Sequence, residues 1–66
     1  MPKKYREVRA ALIAAGWEKV RQSGSHETWS GPTGHGRVVV AGKNSDTVPV
    51  GILASIRRNT GLEDMR

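Results

Sequence analysis

The order of periodic segments predicts an α+β fold, a three-stranded antiparallel sheet with two helices on one face. Three observations carry this. Apolar residues recur at helical intervals near both ends of the chain, a glycine-centred turn joins two strand-like runs in the first half, and Arg37-Val38-Val39-Val40-Ala41 is β-branched and apolar.

From Lys3 to Ala15, Tyr5, Val8, Leu12 and Ala15 fall on one helical stripe, with Lys3, Lys4, Arg6 and Arg9 toward the polar side, Pro2 at a permissive start and Gly16 placed as the C-terminal cap. The basic side of this helix is expected to be solvated. Trp17 to Gln22 has no helical stripe and alternates loosely, with Lys19 and Arg21 on one side and Glu18, Val20 and Gln22 on the other, so a strand is expected. Ser23-Gly24 then turns the chain into a second strand, Ser25 to Ser30. Gly31 to Gly36 is dense in turn residues and forms a loop. Its Gly34-x-Gly36 pattern lacks the Gly-Lys-Ser/Thr of a phosphate-binding loop and precedes no helix. The Val-rich run is expected to be the most buried strand, and Gly42 to Asp46 a polar loop carrying Lys43. Val50, Leu53, Ile56 and Arg57 then mark a second helix from about Pro49 to Asn59, stopped at Thr60-Gly61, with a frayed end after Leu62.

The 66 residues make one small domain. Such a chain buries only about 60% of the surface it exposes when unfolded, so function belongs on an open face and not in a large cavity. Cysteine is absent, which excludes a disulfide framework, a thiol nucleophile and a thiolate zinc site and suits a reducing cytoplasm. No apolar run is long enough to span a bilayer and no signal-peptide pattern opens the chain, so no membrane association is expected. Eleven Lys and Arg against six Asp and Glu give a formal charge of +5, which points to a polyanionic partner. Two other readings stay open behind it: an acidic protein partner, or a charge that only maintains solubility. Nucleic acid fits better than a membrane surface because the cations are spread over several elements.

Gln22-Ser23-Gly24-Ser25-His26 is the stretch in which chemistry is expected. Gly24 supplies the positive φ of a tight turn, Ser25 flanks it, and His26 opens the following strand. A histidine at a hairpin mouth can give or take a proton near neutral pH. On spacing alone, a solvent-facing strand residue is the simpler reading. His26 and Trp29 differ by an odd number of positions, so if Trp29 packs into the core His26 faces outward and Glu27 inward. Lys19 and Arg21, and as a weaker candidate Lys43, are the cations nearest this turn in the expected fold and the candidate contacts to a nucleic-acid partner, RNA-binding residues if that partner is RNA. No carboxylate cluster accompanies the two histidines, so neither a metal nor another cofactor is expected. His35 reads as a loop residue, with a second catalytic role as the alternative.

Gly16-Trp17, Arg21, Gly24-Ser25-His26 with Trp29 three residues on, the Val-rich strand, Gly51-x-Leu53-x-x-Ile56 and Gly61-Leu62 together resemble the HicA toxins over nearly the whole chain. The resemblance implies a double-stranded-RNA-binding-domain-like fold, α-β-β-β-α. It also implies an endoribonuclease, an mRNA interferase of a type II toxin-antitoxin module, held inactive by a HicB-type antitoxin, with His26 as the catalytic residue. The family often has a Pro- and His-containing loop after the third strand and a second helix beginning Gly-Thr-Leu. Here those positions read Ala41-Gly42-Lys43-Asn44 and Gly51-Ile52-Leu53. The alternative function is a non-catalytic RNA-binding module of the same fold, since that fold more often grips RNA than cuts it. A small DNA-binding protein is supported by charge alone.

Overall fold

The computed structural model of the protein describes residues 3–34 and 36–62, with elements in the order α1 (Tyr5–Ala14), β1 (Glu18–Ser23), β2 (His26–Ser30), β3 (Arg37–Ala41) and α2 (Val50–Thr60). The strands form one antiparallel sheet in the order β1-β2-β3. Tyr5, Val8 and Leu12 of α1 and Leu53 and Ile56 of α2 meet Trp29, Val38 and Val40 in a single core, so both helices cover the same face. This is the expected α+β architecture. Pro2, His35 and the residues after Leu62 lie outside the described residues.

Helix α1 is shorter than its periodicity suggests because Lys3 and Lys4 are used otherwise. The Lys3 carbonyl accepts from the Val48 amide at 2.8 Å, and Lys4 forms an isolated bridge with Thr47. The free amides of the first turn find partners far along the chain, Tyr5 N–H on the Asp46 carbonyl at 3.0 Å and Arg6 N–H on that of Asn44 at 3.2 Å. Glu7 Oε2 accepts from the Lys4 amide at 2.7 Å, half of a capping box. At the other end Trp17 N–H reaches the Leu12 carbonyl and Gly16 N–H that of Ile13, a Schellman ending with Gly16 at φ +88°. That ending delivers Trp17 directly into the core.

The β3 segment is less buried than its composition suggests. It is an edge strand, and with one sheet face uncovered only Val38 and Val40 are buried while Val39 is exposed. Gly42, next in the chain, is required by contact: a Cβ there would sit 2.6 Å from Tyr5 Cδ2 and 2.7 Å from Cζ. Helix α2 begins one residue after Pro49 and ends at Gly61 in the left-handed conformation, φ +72°, whose amide bonds the Arg57 carbonyl.

The polar side of α1 departs from expectation at Arg9, which is not solvated. Its Nε donates to Glu27 Oε1 at 3.0 Å, Nη1 to Asn44 Oδ1 at 2.7 Å and Nη2 to the Gly42 carbonyl at 2.6 Å, with the guanidinium 5.7 Å from the Tyr5 ring centroid. One cation thus ties α1, β2 and the loop after β3 together.

Candidate functional site: an uncovered sheet face with a histidine at its hairpin

The hairpin turn is Gly24-Ser25, one residue later than Ser23-Gly24, with Ser23 and His26 as the closing pair. Gly24 has φ +59° and nothing within 4 Å of a notional Cβ, so backbone conformation and not space demands glycine there. Glycine at the first central position of a two-residue loop matches the strands' right-handed twist. Gln22 Nε2 braces the turn by donating to the Gly24 carbonyl at 3.2 Å.

His26 sits on the central strand, paired with Ser23 on one side and Ala41 on the other, so its backbone is fixed by both neighbours. Trp29 is buried at 5% exposure and His26 is exposed, as the alternation of side chains requires. Glu27 shares the Trp29 side, where its Oε1 also accepts from Trp29 Nε1 at 3.2 Å. Burial works against its charge. The hydrogen bonds from Arg9 and Trp29, with the charges of Arg9 and Lys19, outweigh that and hold its carboxyl below the ordinary 4.5.

The register places Arg21 opposite Thr28 and Glu18 opposite Ser30, and hence both on the His26 face with Ser23, Thr28, Ser30, Arg37 and Val39. Lys19 does not join them. The β1 register shifts between Lys19 and Arg21, a bulge at Val20, so Lys19 pairs with Trp29 and lies on the helix-covered side. The two residues therefore do not share one side, contrary to simple alternation. Lys19 Nζ donates instead to Gln22 Oε1 at 3.0 Å. Lys43 is exposed two residues beyond Ala41, His26's partner on β3, and therefore at the same end of the sheet. Ser25 is exposed in the turn. Arg37, on the His26 face, did not stand out in the sequence, because only its register opposite Ser30 puts it there. Among the described residues no three His, Cys, Asp or Glu side chains are grouped as metal ligands would be, and no helix is long and apolar enough to cross a membrane.

A model of the HicA toxin of bacterial toxin-antitoxin systems matches residues 5–62. Neither the curated proteins nor the solved structures give a match. The match runs from the first residue of α1 past the glycine that ends α2, so it takes in every element of the fold and the whole His26 face. The chain belongs to the HicA toxin family, and is thus the toxin partner of a toxin-antitoxin pair.

Proposed function

We propose that the protein is an endoribonuclease that cuts mRNA with His26 as its catalytic residue, and that a HicB-type antitoxin in the same cytoplasm neutralises it. The observation that carries this reading is the placement of one imidazole at the closing pair of a tight turn, on the face the helices leave uncovered and on a strand paired along both edges. A strand of RNA can reach such a group without entering a cavity.

His26 takes the proton of a ribose 2′-hydroxyl as the 2′-oxygen attacks the adjacent phosphorus. The phosphorus–O5′ bond breaks and O5′ takes a proton from solvent water, which leaves a 2′,3′-cyclic phosphate and a 5′-hydroxyl, and the protonated His26 returns its proton to solvent. Proton transfer of this kind contributes about 10²–10⁴-fold. Charge gathering on the phosphoryl oxygens is met by Arg21 across the sheet and Lys43 at its end, while Lys19, on the helix-covered side, takes no part. No metal enters the scheme, because the attacking group is made nucleophilic by the imidazole itself. An antitoxin that covers this basic face blocks RNA and, by binding only the folded toxin, also stabilises it.

The test is cleavage of a single-stranded RNA by wild-type and His26→Ala proteins, alongside the same RNA with one 2′-deoxyribose at the cut position. The histidine variant retains the wild-type circular dichroism spectrum and loses cleavage, and the deoxy substitution abolishes cutting at that bond alone. Undiminished cleavage by folded His26→Ala would remove the assignment. Cutting at the deoxy position would refute the 2′-hydroxyl route.

A further inference from the structure

On the uncovered face Arg37 stands at the end of the sheet opposite His26. It pairs with Ser30, and His26 and Ser30 are four residues apart on β2, roughly 13 Å at the rise of an antiparallel strand. Between them the face is low: Thr28 on the central strand, and Val39 and Ala41 on β3. Arg21 borders the same strip from β1, and Glu18, the β1 partner of Ser30, puts one acid on this face two strands from Arg37.

The Arg37 guanidinium is held in place, although its side chain lies at the surface. Nη1 donates to Ser30 Oγ at 2.6 Å, to the Gly36 carbonyl at 3.3 Å and to the Gly34 carbonyl at 3.4 Å. All three bonds leave from one nitrogen. Among the described residues Nε and Nη2 make no hydrogen bond within the protein, and together they form the edge that a phosphate accepts in a two-point contact.

We propose that Arg37 is a positioning residue for RNA, a phosphate clamp at the far end of a single-strand track that runs along β2 from His26. The proposal rests on the ribonuclease reading for what happens at His26, but the clamp itself is a binding site. At about 3.4 Å per stacked nucleotide, 13 Å covers roughly four nucleotides, and fewer in an extended strand. Three strands about 4.8 Å apart make a face wide enough for one strand of RNA and too narrow to wrap a duplex. The bound substrate therefore lies on the uncovered sheet, and the phosphate on Arg37 sets where the chain falls across His26.

The probe is a fluorescein-labelled uridine octamer, with binding read by anisotropy from 0.05 to 1 M salt in the non-cleaving His26→Ala background. Arg37→Gln removes the charge but retains a donor for Ser30 Oγ, and Arg37→Lys retains the charge but loses the planar fork. One phosphate of a single strand contributes about 0.7 to the slope of log affinity against log salt, so Arg37→Gln flattens that slope by about 0.7 and weakens binding about fivefold at 0.1 M relative to 1 M. Arg37→Lys retains the slope. An Arg37→Gln slope equal to the parent's, in a protein that melts like the parent, overturns the clamp; so does an Arg37→Lys variant whose slope falls as far as that of Arg37→Gln. If the slope changes as stated while protein with His26 intact cuts no RNA, the clamp stands and the nuclease reading falls. In cleavage, Arg37→Gln raises KM for octamers extended on one side of the cut and leaves a dinucleotide unaffected; an equal loss on both substrates would make Arg37 a structural pin.

Discussion

Replacing Arg9 by alanine tests whether the fold depends on the cation that α1 turns inward. Its partner carboxylate is mostly buried, with side-chain exposures of 16% for Arg9 and 14% for Glu27. The pair is therefore not a surface salt bridge worth a few tenths of a kcal/mol. Removing the guanidinium takes a charged donor from Glu27 and leaves Asn44 Oδ1 and the Gly42 carbonyl without theirs. Removing one partner of a buried ion pair costs about 3–5 kcal/mol, and because this pair is only partly buried and the Asn44 bond is exposed, a loss of about 3 kcal/mol for the whole set is expected. For a domain of this size each kcal/mol corresponds to about 4–8 °C in Tm, which makes the expected drop about 12–24 °C. Urea denaturation of Arg9→Ala, Glu27→Gln and the double variant measures both the loss and the coupling, expected at about 1 kcal/mol or more because the residues touch. The pH dependence follows from the direction of the Glu27 shift. Its carboxyl is held below 4.5 in the folded protein, so its contribution is fully present above that value and is lost as pH falls through the lower, folded value. Acid unfolding of the wild type is thus expected to begin below about pH 4.5 and to lose that component in Glu27→Gln. An Arg9→Ala protein within about 0.5 kcal/mol of wild type would refute the reasoning.

Gly42→Ala drives a methyl group into the Tyr5 ring and is expected to cost about 1–3 kcal/mol in urea denaturation. A Gly42→Ala protein as stable as wild type would mean the ring has room to move. Gly24→Ala meets no neighbouring atom but must hold φ near +59°, a strain of about 1–2 kcal/mol. Gly24→Asn, which tolerates that region, recovers most of the stability and retains RNA cleavage, as a gel assay beside the melting curves would show.

The order of elements was legible because each carries its own local signal. The apolar stripes of α1 and α2 read at helical spacing, Gly16 and Gly61 mark their ends, and Gly24 marks the hairpin. The outward direction of His26 was legible for the same reason, since parity with Trp29 needs only a regular strand between them, and the bulge falls in β1. What could not be read depends on register. The extra residue at Val20 sends Lys19 to the helix side, and nothing in Glu18-Lys19-Val20-Arg21 announces it. Arg9 looked solvated because its acceptors lie on β2 and in the loop after β3, brought close only by the sheet. One hint was present: Glu27 shares strand parity with Trp29, so an acid was bound for the covered side and would need a cation there.

That parity divides β2 between two tasks, and the division can be tested. His26 and Glu27 are neighbours in sequence, and a carboxylate beside a histidine could orient or charge it, as in an acid–histidine pair. Here they face opposite sides, and Glu27 Oε1 is already occupied by Arg9 Nε and Trp29 Nε1. Glu27 therefore acts on stability, apart from the chemistry proposed for His26. Glu27→Gln, measured well below its Tm, is expected to leave both kcat for RNA cleavage and its pH profile within about twofold of wild type, because the imidazole loses no partner. Loss of a positioned proton-transfer partner costs about 10²-fold or more. A fall of that size in Glu27→Gln, with the fold intact, would show the carboxylate working through the strand on its neighbour and would end the separation of the two faces.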